Sequence, residues 1–172
     1  MISSMVTTLF HDLVHTLTLE VELYKDLQKL LKDKQSSIIH GDVDKLQKIV
    51  HEEQRLIPKI RAATQSREQR ATTIGATMKL GSKTPSLKEL IDLSPSHYVE
   101  QMLGFRQQLI SSLDQIAHAN RENEFLLNSS VELVRGLVQV LLGKEKNEHV
   151  QYSGNGSFHE DPTRRANVDY QI

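Results

Sequence analysis

Two histidines, His11 and His15, stand four residues apart in the run His-Asp-Leu-Val-His. On a helix that spacing puts both imidazoles on one face, where they could hold one metal ion. Asp12 occupies the place where a metalloprotease carries its general-base Glu, and no third ligand is evident, so two solvated histidines are the simpler reading. A di-iron bundle would need Glu-x-x-His on two helices, and no Glu of this chain has His three residues later. Bundles that relay phosphate through histidine carry Lys three residues beyond it. Here that place holds Thr18, Val43, Gln54 and Arg121 after His15, His40, His51 and His118. There is no Gly-rich phosphate loop and no G-x-S-x-G elbow. The absence of cysteine removes disulfides, thiolate zinc sites and a thiol nucleophile together. No catalytic residue, metal or cofactor is therefore expected.

Charge argues the same way. Lys plus Arg is 21 and Asp plus Glu is 22, a net charge of -1, so no global field draws nucleic acid or anionic lipid. The basic stretch Arg55, Lys59, Arg61, Arg67 and Arg70 is interrupted by Glu52, Glu53 and Glu68 and has no interleaved aromatics. It reads as a solvated helix face rather than a nucleic-acid surface. The first basic residue is Lys25, and Asp12, Glu20 and Glu22 break the early apolar positions, so no secretory signal is expected. No run approaches the roughly 20 apolar residues of a membrane span. A cytoplasmic protein without an integral membrane segment is the expectation.

The elements that position these residues are helices. A chain of 172 residues with 38% hydrophobic and only 5% aromatic residues can bury one long aliphatic seam. From about Ser4 to Ile39 one heptad row reads Phe10, Leu17, Tyr24, Leu31, Ile38; a second, Val6, Leu13 and Leu27, is broken by Glu20 and Lys34. Gly41 stops this helix and Asp42 caps the next, which runs to about Ile74 with Pro58 inside it, where a kink or break is expected. The short turn makes the two helices antiparallel neighbours. Residues 75–94 form a connector with a short helix from Pro85 to Leu93, capped by Thr84. Ser94-Pro95 opens the third helix, which ends near Leu142 before Gly143. The expected fold is all-α, an antiparallel three-helix coiled-coil-like bundle over 1–143 (helices about 4–39, 42–74 and 95–142). A long third helix and a mobile tail over 144–172 complete it.

The third helix carries two heptad rows, Val99, Arg106, Leu113, Asn120, Leu127, Val134, Leu141 and Met102, Leu109, Ile116, Asn123, Ser130, Leu137. Asn120 and Asn123 fall on adjacent core positions, where amides either set register within the bundle or meet a partner's backbone. From Val131 to Leu142 only Glu132, Arg135, Gly136 and Gln139 are not apolar. A helix apolar nearly all round needs cover on several sides. With about 48 residues against 35 in the first helix, its surplus length is about 20 Å. A partner helix on this end is the favoured cover; register shift or dimerisation is the alternative.

The order of these features resembles the FlgN family of flagellar export chaperones. The leading heptad helix, Gly41-Asp42, Arg67 and Arg70 late in the second helix, Asn-x-x-Asn-x-x-x-Leu at Asn120, Asn123 and Leu127, and Tyr152-x-x-x-Gly156 carry the likeness over most of 5–156. The resemblance implies a cytoplasmic chaperone, not an enzyme. It would bind the C-terminal helical segments of hook-associated (hook–filament junction) proteins before type III export and then dock at the export gate. Helix-in-groove capture would use Leu127, Val131, Val134, Leu137, Val138 and Leu141, with Asn120 and Asn123 setting the cargo's register. Tyr152 and Gly156 would carry gate docking. The chaperone alone is expected to be a monomer with at most weak self-association; the competing class is a self-assembling coiled-coil adaptor or regulatory scaffold without export cargo.

Overall fold

A computed structural model describes residues 2–80 and 84–142, with side chains from Met5 onward, and is all-α among them. Helices α1 (Ile2–His40), α2 (Val43–Thr77), α3 (Leu87–Leu93) and α4 (Ser96–Leu141) follow in order. The tail expected over 144–172, with Tyr152 and Gly156, lies outside the described residues. The chain divides into two units, Met1–Glu132 and Leu133–Ile172, each described by itself below.

In the first unit the long helices make a coiled-coil-like bundle, with α1 and α2 packed most closely. Ion pairs fix their direction: Asp12 with Arg70, Glu20 with Arg67 and Lys34 with Glu53 run oppositely along the two helices, which are therefore antiparallel. Helix α4 lies parallel to α1, since Gln28 bonds Gln115 and Gln35 bonds Glu122. The core gathers Phe10, Leu13, Val14, Leu17 and Val21 of α1 with Ala71 and Ile74 of α2, Leu90 and Ile91 of α3, and Met102 and Leu109 of α4. This places the short helix α3 as a wedge that closes one end of the bundle.

Local chemistry sets the joints. Gly41 adopts φ +66°, which lets the Asp42 N–H reach Ser37 O at 2.9 Å and the Gly41 N–H reach Ile38 O at 3.2 Å. That pair of bonds satisfies carbonyls the helix end would leave bare. Asp42 then accepts the Lys45 N–H at 2.9 Å and starts α2. The same terminal motif closes α2, where Leu80 N–H meets Gly75 O and Lys79 N–H meets Ala76 O, but with Lys79 at φ 58° in place of glycine.

Three local expectations change. Of the kink or break expected at Pro58 the break is absent: helix α2 continues through it, and the proline ring sits on the exposed face. The carbonyl left without a donor there can turn to solvent, so the helix survives. Ser86, not Thr84, caps α3: its hydroxyl accepts the Glu89 N–H while the Glu89 carboxylate accepts the Ser86 N–H, a reciprocal box that Thr84 lacks. Ser94 closes α3 by donating to Ile91 O at 2.8 Å instead of capping α4.

Candidate functional site

The rows on α4 separate once packing is known. Met102, Leu109, Ile116 and Asn123 are buried and face the bundle. The other row is not: Leu113 is 50% and Leu127 42% exposed, and Asn120 is exposed as well. Asn120 is therefore not at a core position, a correction to the reading of two adjacent buried amides. Three residues advance a helix by about 300°, so Asn120 and Asn123 need not share an environment.

Asn123 is 4% exposed and donates from Nδ2 to Leu31 O at 2.9 Å. Its Oδ1 is buried without a partner among the described residues. Its donor is thus occupied within its own bundle and joins α4 to α1. Ser129 and Ser130 return their hydroxyls to Phe125 O and Leu126 O of their own helix and stay exposed.

Towards the end of the first unit, Phe125, Leu127 and Val131 are 70%, 42% and 41% exposed. In the second unit the described residues all have exposed side chains, among them Val134 at 57%, Leu137 at 55%, Val138 at 46% and Leu141 at 83%. Leu127, Val131, Val134, Val138 and Leu141 recur at intervals of four and three, the spacing of a seam that receives another helix. Such a spread of wet aliphatic carbon is uncommon on a self-sufficient surface. Burying one such Leu or Val fully contributes about 1.5–3 kcal/mol.

The two breaks in the α1 heptad row have partners that the row did not reveal. Glu20, 1% exposed, accepts from Thr64 Oγ1 and from Arg67 Nε, both at 2.7 Å. Lys34 Nζ donates to Glu53 at 2.8 Å, and Glu53 is itself buried. Arg67 and Arg70 therefore turn to α1, against the reading of a wholly solvated basic face. Charges this enclosed specify pairing more than they stabilise it.

Sites for chemistry are sparse. His11 and His15 are exposed, with His11 Nδ1 3.7 Å from an Asp12 carboxylate whose other oxygen holds Arg70 at 3.1 Å. Among the described residues no group of three or more His, Asp or Glu could hold a metal ion. A cleft between α1 and α2 is lined by Asp26, Lys29, Asp33, Glu52, Arg55 and Lys59, whose charges offset one another. No described helix is long and apolar enough to cross a membrane.

Comparison with known proteins gives one result that covers nearly the whole chain: the family model described as FlgN protein matches residues 1–160. No curated protein and no solved structure matches.

Proposed function

We propose, for a chain that belongs to the FlgN family of flagellar export chaperones, that it captures the C-terminal helical segments of hook-associated proteins in the cytoplasm and holds them for type III export. The family is one of chaperones rather than enzymes. The observation that carries the reading is the exposed aliphatic surface of α4: Leu127 and Val131 in the first unit, Val134, Leu137, Val138 and Leu141 in the second. An amphipathic cargo helix laid along these side chains removes them from water and gains the packing of a coiled coil. Asn120, exposed beside them, is free to bond the cargo. Asn123 acts one step back, by holding α4 in register on α1. Gate docking is assigned to Tyr152 and Gly156 by the family resemblance to which their Tyr-x-x-x-Gly motif contributes.

Val134→Glu tests the surface. A carboxylate at a position that bound cargo would cover should weaken binding of a hook-associated protein's C-terminal segment by about tenfold or more. Calorimetry of the purified pair reads the affinity, and circular dichroism should show unchanged helicity. Unchanged affinity would overturn the assignment.

A further inference from the structure

Helix α4 is held in two different ways along its length. Its start belongs to the apolar core: Met102 and Leu109 are members of it, and Tyr98, Val99 and Phe105 pack against it. From 110 to 132 only Ser112, Ile116 and Asn123 are buried, and of the three only Ile116 is apolar. This stretch meets α1 through polar groups. Gln28 Nε2 donates to Ser112 O at 3.5 Å and to Gln115 Oε1 at 3.2 Å, Gln35 Nε2 to Glu122 Oε2 at 3.3 Å, and Asn123 Nδ2 to Leu31 O at 2.9 Å. No ion pair joins α4 to another helix among the described residues, whereas three join α1 to α2, whose backbones also lie closest together.

We infer that residues 112–132 of α4 form an arm that separates from α1 as one unit while the start of the helix stays in the core. The chemistry of the contact makes that step a small one. Each of the four hydrogen bonds to α1 is exchanged for bonds to water with little net change. The Oδ1 of Asn123, buried without a partner among the described residues, gains one by leaving. Among the buried side chains of the arm, Ile116 alone loses apolar cover. By contrast, the start of α4 cannot leave without uncovering Met102 and Leu109, and α2 cannot leave α1 without parting Glu20 from Arg67. Opening frees Ile116 and Asn123, so the arm then presents an inner row besides Leu113, Leu127 and Val131, which are exposed while it is closed. That second row regulates cargo capture if the reading above holds; the opening itself does not depend on it.

The test follows backbone amide exchange along the full chain, without cargo, in rising urea below the unfolding transition. Once free of α1, a helix as short as the arm is marginal in water, so its amides exchange. Amides of 112–132 should exchange about tenfold or more faster than those of α1 from Phe10 to Val21, with little dependence on urea, because local opening exposes little surface. The rates should step near Ser112 rather than climb evenly along α4. Gln28→Ala with Gln35→Ala should speed exchange of the arm and leave 98–109 unchanged. The chain has no cysteine, so Gln35→Cys and Glu122→Cys can be joined by a short thiol crosslinker, which should slow the arm by about tenfold. Exchange of arm and α1 through one urea-dependent unfolding, an even climb along α4 (simple fraying), or glutamine substitutions or a crosslink without effect would each overturn the inference.

Discussion

The side-chain amide of Asn123 donates a 2.9 Å hydrogen bond to the backbone carbonyl of Leu31, joining α4 to α1 through a residue that is 4% exposed. The bond stands in a row otherwise made of Met102, Leu109 and Ile116, so it marks one register out of several that aliphatic packing alone would allow. Its cost is the Oδ1 of the same amide, which has no partner among the described residues.

Replacing Asn123 with Leu removes that buried polar group together with the bond. Stability should stay level or rise by about 1 kcal/mol, while the register of α4 loosens. Urea unfolding reads the first effect, and faster amide exchange along α4 reads the second. A loss above about 2 kcal/mol would mean that the bond outweighs the orphaned oxygen.

Glu20 and Arg67 behave as a unit. Glu20→Ala strands a guanidinium that is only 25% exposed and should cost about 3 kcal/mol. Glu20→Leu with Arg67→Met and Thr64→Val removes all three polar partners and should lie within about 1 kcal/mol of the parent, because desolvation of the pair offsets most of its attraction. A double-mutant cycle in urea checks whether the loss is shared.

Pro58 interrupts the backbone ladder of α2 on its exposed face. Pro58→Ala restores a donor to the ladder and should raise stability by about 3 kcal/mol, read as a higher thermal midpoint. No gain would show that the bonding around Gln54 is already satisfied with the ring in place.

The Glu89 carboxyl is held below its ordinary range, first by the Ser86 hydroxyl and then by the Ser86 backbone N–H. A lowered folded value means the charged form supports α3. That support is complete above the ordinary carboxylate range and is lost as pH falls through the lowered value. Acid should therefore fray the start of α3, seen as faster exchange of the Leu90 amide. Glu89→Gln should abolish this acid-dependent part.

Much of this architecture was legible in residue order, and the reason is locality. Gly41 followed by Asp42 announces a left-handed helix stop and a new cap within two residues, and the structure has both. The seven-residue rows of α1 announce its buried stripe in the same way, and Phe10, Leu17, Leu31 and Ile38 are all buried. Ser86 and Glu89 stand at the spacing of a capping box, a signal for the start of α3 as local as that of Thr84 and Pro85. The breaks at Glu20 and Lys34 showed that something polar entered the seam but not what met it, since Arg67 and Glu53 lie far along the chain.

What only the tertiary structure decided is which side of α4 turns inward. Two neighbouring heptad rows, through Leu113 and through Ile116, have nearly equal apolar content, and periodicity is blind to the rotation of a helix about its axis. That rotation is settled by contacts with α1 and by the Asn123–Leu31 bond, between partners remote in sequence. Burial of Asn123, exposure of Asn120 and the long uncovered seam from Leu103 to Val131 all follow from it. The sequence determined by itself that α4 carries more apolar surface than one face can hide; the fold chose the face left in water.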